Sequence, residues 1–215
     1  MFIFIIGSTT PFPKHIADYL NNAGHKVILF GRDTLDYTSP VQMEEAFSKY
    51  PKPDIVVFNQ RVNGGASGRG QLKFPSPITA SSIDGFNKFI KDTDKNLQQT
   101  FYGKIAIVEI LKDCKQFVFI TSSITRMVHK YGFENLSYRY LRASEQQLMK
   151  CIALEEGKKA YGLCPGGMDL DIELFAIATA KIINGELNNN EYLLMNAEVS
   201  EVSKLMKEYI QTELA

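Results

Sequence analysis

The stretch FIFIIGSTTPFPKHIADYLNNAGHKVILF (residues 2–30) changes its hydrophobic period twice. Residues 2–6 are uniformly apolar, a run of the kind buried on both faces of a parallel sheet. Residues 13–24 then place Ile16, Ala17 and Leu20 on one helical stripe, with proline in the first turn and Gly24 at the stop. KVILF (26–30) returns to a strand. Strand, helix and strand in succession predict a right-handed parallel crossover.

The alternation continues. PVQMEEAFSKY (40–50) predicts a second helix after DYTS, DIVVFN (54–59) a third strand and QFVFITSS (116–123) a fourth. A long helical region spans about 83–112, and YRYLRASEQQLMKCIALEEG (138–157) is an amphipathic helix. AYGLCPGG (160–167) supplies another strand, DIELFAIATAKIING (171–185) another helix, and EYLLMN (191–196) a last strand before a C-terminal helix. This rhythm predicts an α/β fold: a single Rossmann-like domain over 1–215, with a doubly wound parallel sheet and helices on both faces. One segment breaks it. QRVNGGASGRGQLKFPSPITASS (60–82) is polar, rich in Gly, Ser and Pro, and long for a connector. It leaves a strand at its carboxyl end and is expected to overhang the ligand crevice.

Composition narrows the function. Lys plus Arg and Asp plus Glu each number 24, so the net charge is zero. That balance speaks against electrostatic binding to nucleic acid or membrane. No apolar run approaches the roughly 18 residues that span a bilayer, and the five-residue apolar start carries no basic region, unlike a signal peptide. Cys114, Cys151 and Cys164 are expected to be reduced core residues of a cytoplasmic protein. His15, His25 and His129 show no ligand spacing, and no metal is expected.

Five features in order make the chain resemble the short-chain dehydrogenase/reductase family: the strand–Gly7–helix unit; FGRD (30–33), with Asp36 opening a further short strand; DIVVFN; NLQQTF (96–101); and FVFITSSITR, YRYLRASEQQLMKCIALE and YGLCPGGMD in succession. The resemblance covers about residues 2–200. It implies Ser123, with Ser122 as its alternative, as the group that hydrogen-bonds a substrate oxygen. Asn96 would support the active-site helix, and Tyr138 would be the general acid or base. A gapless alignment puts Arg142 where the family has its Tyr-x-x-x-Lys lysine. The four-residue spacing sets Tyr138 and Arg142 on one helix face, whereas Tyr140 would pair with Ser144, which offers no cation. A free tyrosine ionises at a pKa of about 10, and a neighbouring cation lowers that value. Arg142 supplies the charge and can reach a ribose hydroxyl, but it holds its proton too firmly to relay it.

The resemblance also implies a cofactor site. Arg32 sits where the family often meets the 2′-phosphate, which favours NADP(H) over NAD(H). Asp36 matches the adenine contact and Asn59 the first residue of the Asn-Asn-Ala-Gly turn, from which Gln60, Arg61 and Val62 depart. Pro165 and Gly166 match the turn beside the nicotinamide, without the threonine that often follows. Against the family's Gly-x-x-x-Gly-x-Gly, this chain reads Gly7-Ser8-Thr9-Thr10-Pro11-Phe12-Pro13. Pro13 suits a helix start, whereas Pro11 fixes φ and removes a donor where a phosphate cradle needs one. The Phe12 N–H and the hydroxyls of Ser8, Thr9 and Thr10 remain to meet a phosphate. The expected protein is an NADP(H)-dependent oxidoreductase acting on a small carbonyl or alcohol. The alternatives are a catalytically silent protein of this fold that binds a nucleotide, a protein partner or no cofactor, and an enzyme of another reaction class. The family commonly associates through the equivalents of helices 83–112 and 138–157. A homodimer or homotetramer is therefore expected, with Ile105, Ile107, Val108, Leu148 and Ile152 as apolar candidates.

Overall fold

A computed structural model describes residues 1–60, 101–121, 136–163 and 172–186, with the backbone alone for 136–141, 172, 174, 175 and 178. In chain order these form β1 (Phe2–Ile6), α1 (Pro11–Asn22), β2 (Lys26–Phe30), α2 (Pro40–Ser48), β3 (Ile55–Phe58), α3 (Gly103–Ile110), β4 (Gln116–Ile120), α4 (Leu136–Ala153), β5 (Lys159–Leu163) and α5 (Ile172–Ile183). The strands make one sheet in the order β2-β1-β3-β4-β5, every pair parallel. The chain leaves β1 for β2 on one side and returns to β3 on the other. The carboxyl ends of β1 and β3 therefore flank the point where the strand order reverses, the usual place for a ligand in such sheets.

Alternation along the strands splits the core in two. Ile3, Ile5, Ile55, Val57, Val118 and Ile120 pack with Phe12, Ile16 and Leu20 of α1 and with Ala176, Ala180 and Ile183 of α5. On the other face Phe4, Ile6, Val56, Phe58, Phe117 and Phe119 meet Met43 and Phe47 of α2, Ile107 of α3 and Met149 and Ile152 of α4. Strands buried on both faces need apolar residues at every position, which is why FIFII and IVVF carry no polar alternation. The second face is aromatic: Phe30 lies edge-on to Phe4 and to Phe47, both at 5.0 Å between ring centroids.

Several details differ from the sequence reading. Helix α1 begins at Pro11, two residues early, with Thr10 in extended conformation (φ −114°, ψ 162°) as its N-cap. Both prolines thus occupy the first turn, where their missing N–H groups have no helical acceptor to lose. Asp36 does not open a strand. Its Oδ1 accepts from Thr38 N at 2.9 Å and Thr38 Oγ1 at 2.7 Å, a local turn that competes with strand pairing. The Ser39 side chain then caps α2. Cys114 is buried, but Cys151 is exposed on the outer side of α4 rather than in the core. Cys164, residues 60–82 beyond Gln60, the 83–100 part of the predicted long helix, the strand at 191–196 and the C-terminal helix lie outside the described residues. No helix among the described residues is long and apolar enough to cross a membrane.

Candidate functional site at the carboxyl ends of the strands

The turn after β1 is built on a glycine that nothing can replace without movement. Gly7 has φ of +98°, and a Cβ there would stand 2.7 Å from the backbone nitrogen of Gln60. Gly7 N donates to Phe30 O at 2.7 Å, and Asn59 Nδ2 donates to Gly7 O at 2.9 Å. Asn59 thus locks the end of β3 to the turn. Gly31 closes the end of β2 with the side chains of Asp33 and Ser8 filling the space a Cβ would need. Arg32 and Asp33 are exposed on the 31–35 turn. Tyr37 folds back beneath it and donates to Phe30 O; burial pushes its phenol up to about 12.

Around this turn lies a set of buried polar atoms with no hydrogen-bond partner. Among the described residues they include Thr10 Oγ1 at the N-cap of α1, Asn59 Oδ1 and both amide atoms of Gln60 after β3, and Thr121 Oγ1 after β4. Gln60 is 4% exposed and Thr121 7%. Buried groups of this kind are nearly always satisfied, and leaving one unmet costs about 1–3 kcal/mol. They gather at one end of the sheet, at the carboxyl ends of β1, β3 and β4. Gln60 and Thr121 escaped the sequence reading, which treated Gln60 as a departure from a turn pattern. Its signal was position, two residues past the apolar run of β3.

Beside them, α4 and α3 bring three charged side chains into the interior. Arg142 Nη1 donates to Glu145 Oε2 at 2.6 Å and to the carbonyl oxygen of Ile120, at the end of β4, at 3.3 Å. Lys104 of α3 donates to Glu145 Oε1. None of the three is more than 2% exposed. Burial alone would raise the Glu145 carboxyl, but Arg142 and Lys104 outweigh it and hold the group below its ordinary value, ionised. Burial pushes the Lys104 amine down to about 8 against the pull of Glu145. Neither Lys104 nor Glu145 was singled out from sequence, although each is a charge at a sheet-facing position of an otherwise apolar stripe. On α4 that stripe runs through Arg142, Glu145, Met149 and Ile152, spaced three and four apart and all buried. Tyr138 stands four positions before Arg142 in the helix, and Tyr140 four positions before half-buried Ser144.

Of the other residues expected at the site, Gly7, Ser8, Thr9, Thr10, Phe12, Arg32, Asp36 and Asn59 surround the ends of β1, β2 and β3. Asn96, Ser122, Ser123, Pro165 and Gly166, and the side chain of Tyr138, lie outside the described residues. Ile107 and Ile152 face the sheet rather than an outer surface, and Ile105 is 40% exposed. No group of three potential metal ligands occurs among the described residues.

No family model and no curated protein matches the sequence. Solved structures do match. A short-chain dehydrogenase from Burkholderia cenocepacia J2315 in complex with NADP has a TM-score of 0.68 at 13% identity, covering 98% of this chain and 94% of that one. A small-chain dehydrogenase in complex with NADPH has a TM-score of 0.63 at 12% identity, covering 98% and 91%. An oxidoreductase of the short-chain dehydrogenase/reductase family from Brucella ovis, with a partially ordered NAD, has 0.61 at 16%, covering 93% and 94%. At such identities the likeness is one of fold. The chain has the short-chain dehydrogenase/reductase fold.

Proposed function

We propose that this protein binds a nicotinamide dinucleotide, NADP(H) in preference to NAD(H), and interconverts a small carbonyl and its alcohol. The observation that carries the reading is the set of unpartnered buried polar atoms on Thr10, Asn59, Gln60 and Thr121 at the carboxyl ends of β1, β3 and β4. A dinucleotide is rich in donors and acceptors, and such ligands bind at the carboxyl ends of the strands where the strand order of an open sheet reverses. Arg32, exposed at the end of β2, favours a 2′-phosphate. The nicotinamide complexes among the similar structures support the same cofactor class.

Gly7, Ser8, Thr9, Thr10 and the Phe12 N–H would hold the phosphates, Asp36 and Asn59 the adenosine side, and Pro165-Gly166 the nicotinamide side. When bound, the cofactor supplies or accepts the hydride. Tyr138 gives its phenolic proton to the carbonyl oxygen in reduction and takes one back in oxidation. Ser123 hydrogen-bonds that oxygen, and Asn96 supports the helix that positions the site. Assembly as a homodimer or homotetramer, with exposed Tyr102 and Ile105 near the start of α3 turned outward, belongs to the same proposal.

Thermal unfolding with added nucleotide tests it. NADPH at 100 times its dissociation constant adds about 2.7 kcal/mol, a smaller gain being expected from NADH at equal concentration. No shift with either would sink the reading. One observation favours a silent binder: Pro11 and Pro13 leave Phe12 as the sole N–H donor among the first three helical positions of α1. Tyr138→Phe separates the two, since an enzyme loses turnover with binding kept, whereas a binder has no turnover to lose.

A further inference from the structure

Gln60 and Thr121 stand side by side just past two neighbouring strands. The β3–β4 register pairs Phe58 with Phe119, and each of these is followed two residues later by Gln60 or Thr121. Side chains alternate along a strand, so both follow Phe58 and Phe119 towards the face that α2, α3 and α4 cover. Strand spacing sets their backbones about 4.8 Å apart. The main chain around them is in use: Asn59 N donates to Ile6 O, Thr121 N donates to Leu163 O, and Ile120 O accepts from Arg142 Nη1. The two side chains are not. Gln60 Oε1, Gln60 Nε2 and Thr121 Oγ1 are buried with no hydrogen-bond partner. An amide oxygen only accepts, an amide nitrogen only donates, and a hydroxyl does both. A phosphate or carboxylate would satisfy the donors but set its charge against Gln60 Oε1. An ammonium would leave Gln60 Nε2 unmet. The group that satisfies the whole pair is uncharged and carries donors and acceptors together, as a sugar diol or a primary carboxamide does.

We propose that Gln60 and Thr121 together bind an uncharged donor–acceptor group in the nicotinamide riboside half of the dinucleotide, where the ribose diol and the carboxamide share that chemistry. The proposal rests on the dinucleotide reading above. The choice of half follows from the sheet. Arg32 and Asp36 stand after β2, which β1 separates from β3, whereas Gln60 and Thr121 join β3 to β4 on the other side of the point where the strand order reverses. A dinucleotide with its adenosine at β2 and its pyrophosphate at the Gly7 turn carries its second riboside over β3 and β4. Gln60, which departs from the Asn-Asn-Ala-Gly turn, thereby becomes a selecting residue of this chain.

Calorimetric titration of the full chain tests the proposal with NADPH, with 2′-phospho-ADP-ribose, which lacks the nicotinamide, and with 2′,5′-ADP, which is the adenosine half alone. Gln60→Met keeps the side-chain length without polar atoms and should weaken NADPH about tenfold. Thr121→Val should weaken it by a smaller factor, and neither variant should weaken 2′,5′-ADP. A loss kept with 2′-phospho-ADP-ribose assigns the ribose diol; a loss confined to NADPH assigns the carboxamide. The ligand-free Tm should hold or rise in both variants, since each removes buried groups that nothing satisfies. An equal loss with 2′,5′-ADP, or a ligand-free Tm lowered in both variants, overturns the proposal. Binding of NADPH by the parent and by both variants alike also overturns it, and leaves the dinucleotide reading standing. A parent that binds none of these nucleotides sinks that reading and the proposal with it.

Discussion

At Gly7 two constraints coincide, a left-handed φ of +98° and a Gln60 nitrogen where a side chain would stand. Gly7→Ala must strain the backbone and push the end of β3 away, at a cost of at least about 2 kcal/mol. Urea denaturation measures that loss, and the displaced Asn59 and Gln60 should weaken nucleotide binding further. Lys104 gives a prediction in pH. Its amine releases its proton near pH 8 in the folded protein but keeps it to about 10.5 when unfolded. The unfolded state thus binds more protons between those values, and stability contributed by this group rises with pH across the window. Below pH 8 the buried charge opposes folding in full. The stability of the parent relative to Lys104→Met should therefore increase from pH 8 to 10; a flat difference would show that Lys104 does not carry its charge in the interior.

Helix α4 joins both roles of its residues, apolar below and charged above. Among the described residues Glu145 is the carboxylate paired with both Arg142 and Lys104, so Glu145→Gln takes that negative charge from beside two buried cations. Losing a buried partner in this way costs about 3–5 kcal/mol, measurable as a lower urea midpoint at constant slope. The ends of β3 and β4 predict the opposite behaviour. Thr121→Val removes a hydroxyl that has no partner and keeps the shape, so the ligand-free protein should gain about 1 kcal/mol while its stabilisation by NADPH shrinks. The elements themselves were legible from sequence, because strands buried on both faces and stripes such as Ile16-Ala17-Leu20 announce their period. The short strand at Asp36 was not, since the Thr38 hydrogen bonds that replace it are a local contest which hydrophobic pattern does not register. Nor was the site fully legible. Arg142 was found through its spacing from Tyr138, whereas the partners that decide its charge come from α3, about forty residues upstream, and from one turn further along α4.

Across the whole molecule, two cores share one sheet. Neither α1 and α5 nor α2, α3 and α4 can lose their packing without exposing the strands beneath the other set. Unfolding in urea should accordingly be a single transition, with the backbone and tyrosine circular dichroism signals coincident. Two separated transitions would contradict one domain. The central place of β1 has a further consequence, in time rather than energy. FIFII pairs with β2 after some twenty residues, but its other edge waits for β3, since Ile3 pairs with Ile55 and Ile6 with Phe58. At about 5–20 residues per second of synthesis, that edge stays open for several seconds. Five apolar residues with no charge and an unpaired edge are what aggregation recruits. The strand that organises the finished sheet is thus the segment most in need of protection while the chain is being made.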